Sequence, residues 1–233
     1  MTSTEDRGLT KLTAKLYAPM YADFDRQLSN ALLRRDAFLD RVIWQEIPYL
    51  REDLMGKRLS VEANRHISAQ LKSLGGKSAP PLKQVSIAVR HETAEALRAV
   101  VEEHNLVRDA FLNRLLALLR SSDKLLEALG LPSRVTWNRR DGTEDASTSP
   151  LRSIEETLSD PFHYLRSACH SRYGYGLHML EFPVEFMGLY CFMDDDQVPG
   201  TLAYKTRSSA DPALLTLLDD LESNLTPSNP QGV

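Results

Sequence analysis

The sequence predicts a mainly α-helical chain with short β-strands, in which a strand–helix–turn–helix unit occurs twice ahead of a small α+β C-terminal region. Three observations support this fold class. The stretch Arg35-Asp36-Ala37-Phe38-Leu39-Asp40-Arg41 returns as Arg108-Asp109-Ala110-Phe111-Leu112-Asn113-Arg114, six identities in seven positions at a shift of 73 residues. The same shift carries Phe24 onto Leu97, Leu28 onto Val101, Leu33 onto Leu106 and Leu16 onto Val89. Each copy also passes from alternating to helical patterning in the same order. An internal repeat of this kind decides architecture before any single residue does.

In chain order, polar residues 1–8 are expected to be disordered, and residues 9–55 form the first unit. Lys11 to Tyr17 alternates, with Leu12, Ala14 and Leu16 on one face and Lys11, Thr13, Lys15 and Tyr17 on the other, as a half-buried strand requires. Pro19 suits the first turn of a helix, whose apolar face carries Phe24, Leu28, Ala31 and Leu32. Asp36 is expected to cap a second helix with Phe38, Leu39, Val42 and Ile43 on its core face. Pro48 should kink or end that helix near Leu50. Residues 56–81 hold a connecting helix from Ser60 to Leu74, with Val61, Ile67, Leu71 and Leu74 apolar, then Gly75-Gly76 and an extended linker.

Residues 82–132 form the second unit. Val85, Ile87 and Val89 alternate with Gln84, Ser86, Ala88 and Arg90, a helix runs from Thr93 to Asn105, and Asp109 is expected to cap its successor. There Phe111, Leu115, Leu116 and Leu119 continue the core face, and a short helix from Asp123 stops at Gly130. Residues 133–150 lack apolar periodicity and read as a linker. Residues 151–225 are read as the α+β C-terminal region: a helix broken at Asp160-Pro161, strands at Leu177–Phe182 and Phe186–Met193, an acidic turn at 194–200, and a closing helix Pro212–Leu225. The Pro-rich tail 226–233 is expected to be disordered.

Composition narrows the class. Of 233 residues, 42% are hydrophobic and 26% charged, which is ordinary for a soluble globular protein. The two cysteines have no metal or redox spacing, no apolar run has the length of a membrane span, and no signal-peptide pattern opens the chain, so a cytoplasmic location is expected. Charge is uneven: residues 1–125 hold 20 Lys/Arg against 16 Asp/Glu, whereas 126–233 hold 8 against 16. The repeat half is mildly basic and the remainder acidic.

A strand, a helix, a turn and a second helix within about 45 residues resemble the ribbon-helix-helix family of DNA-binding proteins, over residues 9–50 and 82–121. In that family two units pair their strands into an antiparallel ribbon that enters the major groove. The second helix offers its N-terminus to a phosphate. The resemblance implies that Lys11, Thr13, Lys15 and Tyr17 of the first copy read base edges, as do Gln84, Ser86 and Arg90 of the second. It places Arg34, Arg35 and Arg108 beside phosphates. The implied partner is double-stranded DNA and the implied role a transcriptional repressor, with pairing within one chain or in a homodimer. The family commonly has a Gly-containing turn between its helices. Here the turns are Leu33-Arg34-Arg35 and Leu106-Val107-Arg108.

Two other readings stay open. The same resemblance allows an antitoxin-type protein whose acidic C-terminal region neutralises a protein partner. An enzyme acting on nucleic acid would use the carboxylates Glu181, Glu185 and Asp194 to Asp196 with Mg²⁺, or the group His163, Cys169, His170 and His178 with a metal. Lys205 is the sole lysine after residue 124, and no phosphate-binding Gly-rich loop or nucleophile elbow is present. No catalytic residue, metal ligand or cofactor is therefore assigned.

Overall fold

Two nine-residue strands, β1 (Leu9–Tyr17) and β2 (Leu82–Arg90), pair antiparallel with Thr13 opposite Ser86. The computed structural model describes residues 8–74, 82–133, 158–183 and 188–209, and is mainly helical with this one small sheet among them. Expectations for residues 1–7, the linker 75–81, most of 133–150, the closing helix Pro212–Leu225 and the tail lie outside the described residues.

Each strand runs straight into two helices. After β1 come α1 (Ala18–Asn30) and α2 (Arg35–Asp53); after β2 come α4 (His91–Glu103) and α5 (Arg108–Leu119). The connecting helix α3 (Val61–Ser73) lies between, its first turn capped by Ser60, whose Oγ accepts from the Ala63 N–H at 3.0 Å. A short α6 (Asp123–Ala128) follows α5. The inward strand residues Leu12, Ala14, Leu16, Val85, Ile87 and Val89 are all buried. Leu16 and Ile87 meet Leu39, Ile43, Leu112 and Leu116 from α2 and α5, so the ribbon lies over the second helices of both copies. Burying each such side chain stabilises by roughly 1.5–3 kcal/mol.

The register has a twofold character. Thr13 and Ser86, which face each other, are 73 residues apart, so the repeat maps each onto its own partner. The helix-to-helix turns obey the same relation. Leu32 and Asn105, also 73 apart, both take left-handed conformations with φ of 59° and 53°. Leu33 then donates its N–H to Leu28 O and Leu106 to Val101 O, each at 2.9 Å. This is the helix stop that glycine usually supplies, made here by Leu and Asn.

Several expectations are corrected. α2 does not end at Pro48 but continues to Asp53, because Leu50 and Leu54 are buried beyond it and their burial outweighs the roughly 3 kcal/mol of an interior proline. Asp36 and Asp109 are not caps; the cap positions are Arg34 and Val107, with no side-chain cap bond. Val61 and Leu32 are exposed rather than core, and Phe38 is half-buried where Phe111 is enclosed.

The predicted strand Leu177–Phe182 is instead a short 3₁₀ turn at Leu177–Met179, and residues 188–193 form no strand. The reason is Arg114. Its guanidinium, fully enclosed, donates to Leu189 O at 2.6 Å and Leu177 O at 3.3 Å, taking carbonyls that a strand ladder would use. Its Cζ lies 4.1 Å from the centroid of the Phe182 ring. With α7 (His163–Tyr173), these segments pack in the same compact unit as the ribbon, which extends to Phe192. The second unit begins at Met193. There a capping box of Asp194 and Gln197 forms the expected acidic turn, α8 (Leu202–Ser209) follows, and Arg207 pairs with Asp196 at 2.6 Å.

Two stability changes should be measurable by thermal denaturation. A leucine in the left-handed region costs roughly 1 kcal/mol relative to glycine, and Leu32 is 92% exposed, so Leu32→Gly should raise Tm; an unchanged or lower Tm would show that the turn is unstrained. Arg114→Ala should destabilise by about 3 kcal/mol or more, through lost packing and two orphaned carbonyls. Arg114→Met should lose less, because it refills the space and removes a desolvated charge; equal losses would assign the role to charge alone.

Candidate nucleic-acid interface

The outward face of the ribbon is set by the strand period. Lys11, Thr13, Lys15, Gln84 and Ser86 are exposed, and Ala88 is half-buried. Thr13 Oγ1 and Ser86 Oγ lie 3.4 Å apart at the centre. Lys11 stands opposite Ala88 and Lys15 opposite Gln84, so the ammonium groups of this face sit on β1. Tyr17 and Arg90 occupy opposite ends, facing Leu82 and Leu9. Five of the seven proposed base readers thus form one contiguous polar face. Arg90 is committed elsewhere: its Nε donates to Asp40 Oδ2 at 2.7 Å and its guanidinium lies 5.2 Å from the Trp44 ring centroid.

A two-stranded sheet leaves one edge of each strand without a ladder partner. Side chains of the repeated stretch fill that role, each from the opposite copy. On β1, the Lys15 N–H donates to Asp109 Oδ2 at 3.1 Å and the Tyr17 N–H to Asn113 Oδ1 at 2.8 Å. On β2, the Ala88 N–H donates to Asp36 Oδ2 at 3.1 Å and the Arg90 N–H to Asp40 Oδ1 at 2.9 Å. These two pairs of bonds are related by the same 73-residue shift. Asn113 Nδ2 and Arg108 Nη2 also donate to the carbonyls of Lys15 and Thr13, at 2.9 and 2.7 Å. Sequence reasoning missed these four residues as edge partners; the signal was their identity or near-identity within the repeated stretch.

This arrangement brings the N-terminus of α5 to the C-terminal half of β1 and that of α2 to the C-terminal half of β2. The three arginines assigned to phosphates sit there. Arg108 Nε donates to Asp109 Oδ1 at 3.0 Å. Arg35 Nε donates to Asp36 Oδ1 at 2.6 Å and its Nη1 to the Tyr21 hydroxyl at 2.5 Å. Each guanidinium is positioned by its neighbouring carboxylate, and five N–H donors per arginine leave capacity beyond those bonds. Arg34 is exposed at the cap position of α2. Helix N-termini, with unsatisfied N–H groups and a positive dipole end, favour anions.

Among the described C-terminal groups, His163 and His170 line one open pocket with Glu52 and Asp53, but His178 lies outside it. His163 and His170 are exposed on α7, whereas His178 is buried with Nε2 3.2 Å from Glu46 Oε2. Glu46 also pairs with Arg166, which in turn pairs with Asp160 and lies 3.7 Å from the Tyr49 ring centroid. Burial pushes the Cys169 thiol up to about 12, which leaves it protonated and unreactive at neutral pH. Glu181 accepts a hydrogen bond from the Tyr190 hydroxyl, and Glu185 lies outside the described residues. Among the described residues no group of three or more His, Cys, Asp or Glu could hold a metal ion, and no helix is long and apolar enough to cross a membrane.

Comparison with family models, with curated proteins and with solved structures found no match to this chain.

The edge carboxylates make a pH prediction. Burial raises the Asp36 pKa, but the Arg35 hydrogen bond, the Ala88 N–H and the charges of Arg35 and Arg34 outweigh it and hold the carboxyl below its ordinary value. A folded-state pKa below the unfolded value of about 3.9 contributes stability that is present above that pH and lost as pH falls through the folded pKa. Denaturant unfolding across acid pH should therefore show Asp36→Asn losing stability less steeply than wild type below about pH 4. Identical acid limbs would remove Asp36 from the acid response.

Proposed function

We propose that this protein binds double-stranded DNA sequence-specifically, as a ribbon-helix-helix pseudo-dimer formed within one chain, and acts as a transcriptional repressor. The observation that carries the reading is the antiparallel register, which places Thr13 against Ser86 and leaves Lys11, Thr13, Lys15, Gln84 and Ser86 on one exposed face. Paired strands lie about 4.8 Å apart, so the ribbon with its side chains fits a major groove about 12 Å wide. Lysine, glutamine, serine and threonine carry donors and acceptors that distinguish base edges there. The flanking helix N-termini and Arg34, Arg35 and Arg108 supply phosphate contacts that fix register without reading sequence. Because β1 carries two lysines where β2 carries Gln84 and Ala88, the site read is asymmetric.

The test is selection of duplexes from a random-sequence library by the purified chain, then a salt titration with the selected duplex. Tight binding to it, with scrambled DNA of equal length bound far more weakly, is the expected result. Changing Lys11 and Lys15 together to Ala should weaken binding and make log Kd against log salt shallower by roughly two, near 0.9 per lost phosphate contact, if the lysines touch backbone. Lost sequence preference at an unchanged slope would assign them to base edges instead. Unaltered affinity, preference and slope would remove β1 from the interface.

A further inference from the structure

Beside β1 lies an open groove of about 650 Å³ that the family resemblance does not account for. Its walls come from β1, the connecting helix α3, α4 and the start of α5. Lys11, Lys15, Lys72, Arg98 and Arg108 line it, against the carboxylates of Glu102 and Asp109. Asp109 is occupied by the Lys15 N–H and by Arg108, whereas Lys11, Lys15, Lys72 and Arg98 are exposed, Arg98 in a surface ion pair with Glu95 at 2.9 Å. Of the apolar residues along the groove, Leu12, Leu71 and Leu97 are buried, whereas Leu82, Val101 and Val107 are half-buried. A ligand entering it therefore meets ammonium and guanidinium groups beside a partly open apolar floor. Its row of cations suits a polyanionic backbone.

The opposite flank, beside β2, differs in charge. At the positions 73 residues away, Lys11 becomes Gln84, Lys15 becomes Ala88, Arg98 becomes Asp25 and Lys72 becomes Asp145. Arg34 stands there in the place of Val107 and Lys83 in that of Thr10, but Lys83 lies 5.5 Å from the Tyr21 ring centroid and Arg35 pairs with Asp25 and Asp36. Among the described residues, α3 adds a wall to the β1 flank through Ser68, Leu71 and Lys72.

We propose that α3 completes a second phosphate-binding surface beside β1, so that DNA is gripped more strongly on that side of the ribbon, with Lys72 and Arg98 contacting backbone outside the base-reading face. This inference rests on the DNA reading of the ribbon and extends it. A ribbon seated in a major groove has a phosphate strand along each side, and the groove follows one of them. Its cations would be released-counterion contacts that raise affinity without altering which sequence is preferred.

The experiment uses the full chain and the selected duplex, with Lys72→Glu and Arg98→Glu singly and together. Both residues are exposed, so folding is checked by circular dichroism alone. The double variant is expected to bind about tenfold more weakly or worse at low salt, with a slope shallower by about two and the same sequence preference. Phosphate ethylation on the β1 side should interfere with wild-type binding and cease to interfere in the double variant. Unchanged affinity and slope in the double variant, alongside weakened Lys11→Ala and Lys15→Ala variants, would overturn the groove while the ribbon reading stands. A wild-type chain that binds no duplex at all would remove the ribbon reading, and the groove with it.

Discussion

The structure depends on how a sheet of two strands deals with its edges. A lone two-stranded ribbon is marginal in water, and half of its backbone groups point away from the partner strand. Here those groups are met by Asp36 and Asp40 on one side and Asp109 and Asn113 on the other. Each pair belongs to the helix of the opposite copy, so neither strand–helix–helix segment completes its own hydrogen bonds. The two copies interlock, and the exposed face stays free because the edges are closed. An edge closed in this way also resists pairing with a foreign strand.

The interlock is twofold only as far as the strands and the turns. At the last position of the repeated stretch, Arg41 is exposed while Arg114 is enclosed by Leu177, Phe182 and Leu189. At the sixth, Asp40 binds the Arg90 guanidinium, whereas Asn113 donates to a carbonyl, which an aspartate could not do. Residues 158–183 dock against α2, through Arg166 to Glu46 and through the His178 N–H to Asp53. Burial lowers the Arg114 pKa to about 10, which still leaves it charged at neutral pH, so an ion rests on carbonyl dipoles and an aromatic face. Arrangements of that kind are weak sources of stability but strongly constrain which segment fits. The cations likewise gather along β1, and an asymmetric molecule follows from a repeated sequence.

Much of the repeat was legible because its signals are local. The alternation of Lys11 to Tyr17 and of Gln84 to Arg90 reports which side chains point inward, whatever packs beneath them. Ser60 and Pro19 mark helix starts by their own backbone chemistry. The misjudged places are those where a distant partner decides. Asp36 has the side chain of a helix cap, yet sits two residues past the cap position, where its carboxylate accepts from the Ala88 N–H instead. Pro48 has the backbone of a helix breaker, yet Leu50 and Leu54 hold the helix together from the core side. Leu177 to Phe182 has the apolar content of a strand, but Arg114 takes the carbonyl that a neighbouring strand would need.

The chain alone therefore determined the element order up to residue 128, the inward and outward faces of both strands, and the polar residues that stand on the exposed one. These follow from periods of 2 and 3.6 residues, which each segment carries within itself. Only the tertiary structure decided that the strands pair with Thr13 opposite Ser86, that the repeated Asp and Asn side chains bond the opposite strand, and that α3 walls a cationic groove beside β1. Those features are relations between residues 40 to 100 positions apart, and no local pattern encodes which of several compatible partners a carboxylate or a guanidinium will meet.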